Sequence, residues 1–336
     1  MTALRQRLAL SVAEEPVALA EPFRITGYVF TEMPVVVARL RQGAAEGQGE
    51  ASGVYYLGDD VPAMLAAIEA ARPRIEAGID REALRRAMPP GGGRNAVDAA
   101  LWDLEAKLTG RPAWALAGLD PPKPLVTTFT VGAADPDVMA RKAVAYAQAR
   151  ALKLKLTGEA ELDAERVRAV RAARPDVWLA VDANQGFVPD TLERLMPALV
   201  DTRVQLLEQP FARGRESDME GLGSPIPVAA DESVLSFADL EEMVGRFDVV
   251  NIKLDKCGGL TEGLAMARQA RRLGLGVMVG NMVGTSLAMG PAYLLGQLCE
   301  VVDLDGPIFI TRDRLPSVSY ADGLIAYPEH GWGSAP

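Results

Sequence analysis

Two lysines stand two residues apart in a short apolar run. Lys153 and Lys155 lie in the sequence LKLKL at 152–156, which is typical of a buried strand. Alternate residues of a strand share one face, so both ammonium groups point the same way. Burying a lysine is costly unless an anionic group meets it. The pattern therefore predicts acidic partners close to these lysines.

Three carboxylates end three later apolar runs, and a third lysine ends a fourth. Asp182 lies in WLAVDAN, Glu208 in VQLLEQP, Asp231 in PVAADES and Lys253 in DVVNIK. A single acid of this kind is usually a loop-start residue or a helix cap. Three in succession, flanked by lysines, favour a cation site, and the donor set of carboxylates without His or Cys favours Mg²⁺. A cation beside lysines indicates carbon-acid chemistry.

Composition narrows the function. The chain has 336 residues, 49% hydrophobic and 24% charged, and a net charge of −10, which favours a folded globular protein and disfavours nucleic acid or an anionic membrane as a partner. The only histidine, His330, lies in a Gly-rich tail, so a Ser-His-Asp triad or a histidine zinc site is not expected. Two cysteines make no disulfide framework. We predict no transmembrane helix and a cytoplasmic location, with homo-oligomerisation left open.

The hydrophobic pattern divides the chain in two. Up to residue 118, strands are predicted at 4–12, 23–30 and 34–41 and helices at 60–77, 81–88 and 93–109. Eight short strands then alternate with helical stretches, which is typical of a closed parallel barrel. The predicted strands are 126–131, 151–156, 177–182, 204–208, 226–231, 248–253, 275–280 and 300–304. The predicted fold class is α/β: a modified (β/α)7β TIM-type barrel at 119–313 with an α+β capping domain at 1–118, to which 314–336 returns.

Residues at the carboxyl ends of barrel strands converge on the mouth of the barrel. This places the lysines and carboxylates on successive strands, with Asp303 and Asp305 at alternate positions on the eighth. Thr130 ends the first strand. Asp255 and Lys256 follow Lys253, and no chemistry is predicted for them.

Six motifs occur in the order LKLKL, VDANQ, LLEQP, ADES, NIKLDKCGG and VDLDGP. Together they resemble the enolase superfamily, in particular its muconate-lactonizing subgroup and the dipeptide epimerases, best known as L-Ala-D/L-Glu epimerases. The segment RNAVDAALWD at 94–103 resembles the last helix of the family's capping domain, so the resemblance covers almost the whole chain. It implies the capped barrel already predicted from the pattern.

The resemblance implies roles for individual residues. Asp182, Glu208 and Asp231 would bind Mg²⁺, and Lys155 and Lys253 would be the two acid/base groups. The implied reaction converts L-Ala-L-Xaa dipeptides to L-Ala-D-Xaa by 1,1-proton transfer through an enediolate, which suits a lysine base with Mg²⁺. Groups implied to contact the substrate are Lys153 at its carboxylate, Asp303 and Asp305 at its ammonium, and Thr130.

The resemblance also implies that loops of the capping domain close over the substrate side chain and select it. They are GYVF at 27–30 and GVYY at 53–56, which are aromatic and carry no Lys or Arg. This favours apolar residues as well as Glu at the second position of the dipeptide. The predicted specificity residues are Arg24, just before the first loop, and Tyr28, Phe30, Tyr55 and Tyr56.

Other functions compete with this hypothesis. An N-acylamino acid racemase, an o-succinylbenzoate synthase or a muconate cycloisomerase would share the barrel, but their substrates lack the free ammonium that paired aspartates favour. A Schiff-base aldolase needs one buried lysine and gains nothing from three carboxylates. A non-catalytic binding protein would not need lysines on both faces of a ligand.

Overall fold

The computed structural model describes residues 7–25 and 28–335, with only the backbone at 23–25 and 28. The capping domain opens with five strands: β1 (Ala9–Glu15), β2 (Ala18–Ile25), β3 (Tyr28–Glu32), β4 (Val35–Gln42) and β5 (Ala45–Ala51). Strands β1, β4 and β5 form one antiparallel sheet, and β2 and β3 form a separate antiparallel pair. The single strand predicted at 23–30 is therefore wrong, because residues 23–25 and 28–30 belong to two strands that pair antiparallel with each other.

Three helices complete the capping domain: α1 (Val61–Glu76), α2 (Arg81–Ala87) and α3 (Gly92–Thr109). Helix α3 is buried over most of its length and lies directly against β5. The contact needs glycine in the strand, since a Cβ atom at Gly49 would stand 2.1 Å from the carbonyl oxygen of Ala96. A separate apolar core of β1, β4, α1 and α3 side chains, including Leu40, Ile68 and Leu101, holds the domain together.

The second part is a barrel of eight parallel strands, which confirms the predicted fold class. A short helix α4 (Ala113–Leu116) and strand β6 (Leu125–Val126) precede it. Its strands are neighbours in chain order from β7 to β14. They are β7 (Thr128–Val131), β8 (Ala151–Lys155), β9 (Trp178–Asp182), β10 (Leu206–Glu208), β11 (Val228–Ala230), β12 (Val249–Lys253), β13 (Gly276–Gly280) and β14 (Val301–Val302).

Helices surround the barrel and bury their apolar faces against it. They are α5 (Pro136–Ala145), α6 (Ala160–Ala173), α7 (Pro189–Asp201), α8 (Leu240–Met243), α9 (Leu254–Cys257), α10 (Leu260–Arg272) and α11 (Ser286–Gly296). No helix in the described ranges is long and apolar enough to cross a membrane.

Side chains link the first and last strands of the barrel. Thr128 on β7 donates its hydroxyl hydrogen to Asp303, and the backbone N–H of Thr130 donates to Asp305 Oδ2 at 2.6 Å. The N–H of Leu304 donates to Thr127 Oγ1 at 2.9 Å. The two aspartates beyond β14 therefore bridge to β7.

The C-terminal tail contacts both parts of the molecule. Strands β15 (Ser319–Ala321) and β16 (Leu324–Ala326) form a small antiparallel sheet with β6. Arg314 pairs with Glu50 at 2.9 Å and with Glu15 at 2.7 Å in the capping sheet. Farther on, the indole N–H of Trp332 donates to the carbonyl of Ala99 on α3 at 3.0 Å.

Candidate active site

The predicted lysines and carboxylates lie at the ends of neighbouring strands, at one level of the barrel. Lys155 is in register with Asp182, and Asp182 is in register with Glu208. Asp231 follows β11 directly, and Lys253 is the last residue of β12. Because parallel strands present their carboxyl ends at the same mouth, these side chains meet there.

A cleft with about 640 Å³ of empty space, open solvent included, lies at this mouth. The predicted residues that line it are Phe30, Tyr55, Tyr56, Thr130, Lys153, Lys155, Asp231, Lys253, Asp303 and Asp305. Asp182 and Glu208 are fully buried beneath it and reach it through their lysine partners.

Each of the two proposed acid/base lysines pairs with a proposed metal ligand. Lys155 Nζ lies 2.5 Å from Asp182 Oδ2, and Lys253 Nζ lies 2.6 Å from Asp231 Oδ2. Both lysines are only 7% exposed, so the carboxylates supply the anionic partners that burial requires. The strands that carry them, β8 and β12, are four apart in the barrel of eight, which places the two ammonium groups on opposite sides of the mouth.

Lys256 also holds Asp231. Its ammonium donates to Asp231 Oδ1 at 2.5 Å, to the backbone oxygen of the same residue at 2.5 Å and to the carbonyl of Asn251 at 3.0 Å. Burial raises the pKa of Asp231, but the charges of Lys253 and Lys256 outweigh it and hold that pKa well below its usual range. Asp231 is therefore a fixed negative charge in the site.

Glu208 has a different environment. Its Oε1 accepts a hydrogen bond from Asn251 at 2.7 Å, while its Oε2 accepts none from the residues described. Burial raises the pKa of Glu208 to about 7, and the neighbouring charge of Asp182 adds to the rise. The carboxylates of Asp182 and Glu208 thus repel each other, and a cation between them would relieve that repulsion.

This donor set fits a hard divalent cation. Three carboxylates on adjacent strands, with a buried Glu208 oxygen that accepts no hydrogen bond from the described residues, offer the oxygen ligands that Mg²⁺ prefers. In the described ranges, however, no three acidic, histidine or cysteine side chains form a ready-made metal group. Lysine ammonium groups engage Asp182 and Asp231 instead.

Lys153 lies deeper than the other two lysines. It pairs with Asp303 and lies 3.4 Å from Glu208 Oε2 and 3.8 Å from Asp182 Oδ2. Burial lowers its pKa, but these three carboxylates outweigh burial and raise the pKa above its ordinary value. Asp231 and Glu208 raise the pKa of Lys253 in the same way, against the effect of burial. Lys153 and Lys253 are therefore ammonium ions in this arrangement.

The two aspartates after β14 are not equivalent. Asp303 accepts hydrogen bonds at one oxygen from Thr128 and at the other from Lys153. Asp305 uses one oxygen for the N–H of Thr130, and burial raises the pKa of Asp305 to about 6, with Asp303 adding to the rise. Asp305 is therefore the less engaged of the pair.

Aromatic side chains of the capping domain cover the cleft. The ring of Tyr55 lies 5.0 Å from that of Phe30 and 5.2 Å from that of Tyr56, edge to face in both pairs. The buried Tyr56 hydroxyl makes no hydrogen bond to the described residues. The side chains of Arg24 and Tyr28, on strands β2 and β3, lie outside the described part of the structure.

Several cleft residues were not predicted. Asn184 and Glu232 lie beside the proposed ligands in the motifs VDANQ and ADES, so their adjacency was a usable signal. Burial raises the pKa of Glu232 to about 8, and the charges of Asp231 and Asp182 add to the rise. Gly306 follows Asp305 in the motif VDLDGP and had the same signal. The other unpredicted lining residues had no such signal in the sequence; they are Met33, Asn281, Met282, Val283 and Phe309.

Known proteins resemble the chain over nearly its full length. An L-Ala-D/L-Glu epimerase of Escherichia coli (strain K12) is 37% identical over 94% of this chain and 98% of its own. An N-acetyl-D-glutamate racemase of Pseudoalteromonas sp is 38% identical over 74% of this chain and 78% of its own.

Solved structures show the same architecture. An enolase family member from Agrobacterium tumefaciens with homology to dipeptide epimerases, with bound sodium and L-Ala-L-Glu, is 42% identical, with a TM-score of 0.93 over 97% of this chain and 100% of that one. A dipeptide epimerase from Enterococcus faecalis V583, complexed with Mg and L-Leu-L-Tyr, is 26% identical, with a TM-score of 0.87 over 98% of both chains.

Two family models match the two parts of the chain. Residues 7–118 match the mandelate racemase / muconate lactonizing enzyme N-terminal domain, and residues 138–334 match the enolase C-terminal domain-like family. The chain belongs to the mandelate racemase and muconate lactonizing enzyme family of enolase-like proteins.

Proposed function

We propose that this protein is a Mg²⁺-dependent dipeptide epimerase, which converts L-Ala-L-Xaa to L-Ala-D-Xaa by moving the α-proton of the second residue. The observation that carries the proposal is the placement of Lys155 and Lys253 on opposite sides of one cleft, each paired with a carboxylate. Inversion needs a proton removed from one face of the α-carbon and returned to the other. Two lysines across the mouth meet this need, whereas one would not.

Asp182, Glu208 and Asp231 would hold the Mg²⁺. When bound, the ion supplies Lewis-acid stabilisation of the negative charge that develops on the substrate carboxylate as an enediolate forms. Two of these carboxylates, Asp231 and Glu208, raise the pKa of Lys253 through their negative charge. A cation bound to them would offset that charge and so would lower the pKa of Lys253. Metal binding and base strength are thus coupled in this site.

The remaining residues would orient the dipeptide. Lys153 is a cation next to the carboxylates and suits the substrate carboxylate, with Thr130 lining the same end of the cleft. Asp305 supplies the negative charge that would bind the free ammonium of the dipeptide. Asp303 would hold the ammonium of Lys153 in place by accepting its hydrogen bond. Phe30, Tyr55 and Tyr56 present an apolar wall to the Xaa side chain, together with Met33 and Phe309. This wall favours apolar or aromatic Xaa alongside Glu.

An N-acylamino acid racemase is the second candidate, since one relative is named N-acetyl-D-glutamate racemase, and N-acetylglutamate is an N-acylamino acid. It would use the same lysines and metal, but its substrate has no ammonium for Asp305. We also propose a cytoplasmic location, a small dipeptide as the substrate, and no nucleic acid or membrane as a partner. Homo-oligomerisation is compatible with the proposal and is not required by it.

The test is an L,L-dipeptide library incubated with the Mg²⁺-loaded protein in D₂O. Mass spectrometry should show a one-dalton gain for the substrates, and chiral analysis should place the deuterium on the second residue. N-acetylated copies of the same dipeptides serve as the matched comparison. Deuterium uptake confined to the N-acetylated compounds would contradict the proposal and favour the racemase, and uptake by neither set would contradict both.

A further inference from the structure

The segment that follows Lys253 is tied to a loop of the capping domain. Asp255 Oδ1 accepts hydrogen bonds from two consecutive backbone N–H groups, those of Ser52 at 2.9 Å and Gly53 at 3.0 Å. Asp255 is 6% exposed and lies on α9, two residues beyond Lys253. One buried carboxylate oxygen therefore joins the end of a barrel strand to the capping domain.

The tethered loop carries the tyrosines that cover the cleft. Beyond Gly53, Val54 pairs with Asp59, and a 3₁₀ turn at 55–57 presents Tyr55 and Tyr56. Ser52 adds a second anchor, since its hydroxyl donates to the carbonyl of Val283 at 2.5 Å. The loop is thus held at its base, immediately before the two tyrosines.

The base of this loop has little freedom to adopt another path. Gly53 has φ +71°, a left-handed conformation that favours glycine, and a Cβ there would stand 2.0 Å from the carbonyl oxygen of Asp59. The direction in which the tyrosines project is therefore set where Asp255 holds the chain.

The barrel end of the tether is equally well fixed. Lys253, directly before α9, and Lys256, on α9, both form ion pairs with Asp231. A shift of the single turn of α9 would therefore disturb these ion pairs. Arg94 of α3 adds a bond to the carbonyl of Gly258 at 3.0 Å. Asp255 thus stands on the same rigid turn as a proposed acid/base lysine.

We propose that Asp255 is a positioning residue that holds Tyr55 and Tyr56 at a fixed place over the cleft relative to Lys253, and thereby sets the affinity for the Xaa side chain. The inference rests on the proposed dipeptide epimerisation for its kinetic consequence. Its structural consequence, the tether itself, does not depend on the reaction.

The tether works through an acceptor oxygen and does not need a negative charge. Burial raises the pKa of Asp255 to about 7, although the two N–H groups oppose the rise. An asparagine has the same shape and keeps one carbonyl oxygen for both N–H donors. Asp255→Asn should therefore preserve the tether, whereas Asp255→Ala should remove it.

The experiment combines hydrogen exchange with steady-state kinetics on the full-length, Mg²⁺-loaded protein. Asp255→Ala should lose amide protection in peptides covering 52–57, while those covering β8 and β9 keep theirs. Its KM for an L-Ala-L-Xaa dipeptide with aromatic Xaa should rise about tenfold, with kcat falling less than threefold. Asp255→Asn should restore both the protection and the KM.

Asp98→Ala is the matched control. Asp98 on α3 accepts hydrogen bonds from the N–H of Thr261 on α10 at 3.0 Å and from its hydroxyl at 2.5 Å. It too joins the capping domain to the barrel, but through α10 and not through the loop at 52–57. An equal rise in KM in this control would overturn the proposal in favour of general loosening of the cap.

Two further results would overturn it: unchanged exchange at 52–57 in Asp255→Ala, or loss of protection in Asp255→Asn equal to that in Asp255→Ala. Should Asp255→Ala not fold, the retained protection expected of Asp255→Asn still decides, because its loss would contradict the acceptor role. A wild-type protein that shows no dipeptide exchange in D₂O would instead contradict the proposed function. The amide protection at 52–57 would still test whether Asp255 holds the loop, because that measurement does not depend on turnover.

Discussion

Lys153 on the second barrel strand pairs with Asp303 beyond the eighth, and Thr128 on the first strand donates to the other oxygen of the same carboxylate. These bonds span the place where the first and last strands meet, so Asp303 has a structural task as well as a proposed role in binding. Asp305, two residues on, is bound through one oxygen to a backbone N–H. The similar aspartates of the VDLDGP motif therefore differ in what their loss would cost.

The first prediction separates the two aspartates by stability. Asp303→Ala leaves the buried ammonium of Lys153 without its nearest partner, and breaking a buried ion pair costs about 3 kcal/mol or more. Asp305→Ala removes hydrogen bonding to Thr130 but breaks no ion pair among the described residues, for a loss of about 1 kcal/mol. Urea unfolding of the metal-free proteins measures both free energies. Equal losses in the two variants would show that Asp303 has no special structural task.

The second prediction concerns the metal. Glu208→Gln keeps an oxygen for the hydrogen bond from Asn251, so the variant should fold, but it loses a ligand charge and should bind Mg²⁺ at least about tenfold more weakly. Calorimetric titration of the EDTA-treated protein with Mg²⁺ measures the change. Glu161→Gln, which alters an exposed ion pair with Arg194, is the control. Wild-type Mg²⁺ affinity in Glu208→Gln would remove Glu208 from the ligand set.

The third prediction concerns the lysines. Lys155→Ala and Lys253→Ala should each lower the epimerisation rate about 10³-fold or more, because each substitution removes the proposed acid/base group on one face of the α-carbon. One variant should still exchange the α-proton of one epimer in D₂O, and the other variant that of the opposite epimer. Proton NMR of the two purified epimers follows this. Lys142→Ala, which removes a surface pair with Glu21, should turn over normally.

Rapid epimerisation by either active-site lysine variant would rule out a two-base mechanism. Exchange of both epimers by one variant would show that a single lysine reaches both faces.

The barrel and the charged residues at its mouth could be predicted because charged residues end successive apolar strands. Burying such charges is costly unless groups of opposite charge lie close together. The strand β5, AEGQGEA, could not be predicted, because its small residues alternate with polar ones and it has no large apolar side chain that would indicate a buried face. Helix α3 packs directly on it.

The sequence also could not predict which charged residues of different strands pair with each other. The bond from Lys153 to Asp303 joins residues 150 positions apart, and nothing local distinguishes Asp303 from Asp305. No role was predicted for Asp255 or Lys256. Ser52 and Gly53 become neighbours of Asp255 only after the capping domain docks, and Asp231 becomes a neighbour of Lys256 only when β11 and β12 pair in the barrel.

The fourth prediction concerns pH and the contact between α3 and α10. Burial raises the pKa of Asp98 to about 6, against the bonds from Thr261. The folded protein then holds this proton more tightly than the unfolded chain, so Asp98 makes stability fall as pH rises from about 4 to about 6. Asp98→Asn lacks this titration, and its stability relative to wild type should rise by on the order of 2–3 kcal/mol over that range.

Urea unfolding of both proteins at several pH values measures this difference. Curves that stay parallel from pH 4 to 6 would show that Asp98 is ionised throughout the range in the folded protein.

The last prediction concerns the substrate class. Asp305 lines the cleft and has the less engaged carboxylate, so it should bind the free ammonium of a dipeptide. We expect L-Ala-L-Xaa dipeptides to be epimerised and their N-acetyl forms to be poor substrates. Asp305→Asn should lower kcat/KM for the free dipeptide by about 2–3 kcal/mol in transition-state binding, roughly 30- to 150-fold, and leave Mg²⁺ affinity unchanged.

The same substitution should barely affect the slow turnover of the N-acetyl dipeptide, since that compound offers no charge for Asp305 to bind. The comparison of free and acetylated substrates in both proteins forms a double-mutant cycle, in which the coupling between Asp305 and the ammonium is measured directly. Equal rates for the free and acetylated dipeptides in the wild-type protein would assign the barrel to an N-acylamino acid racemase, and Asp305 would then serve only to join the eighth strand to the first.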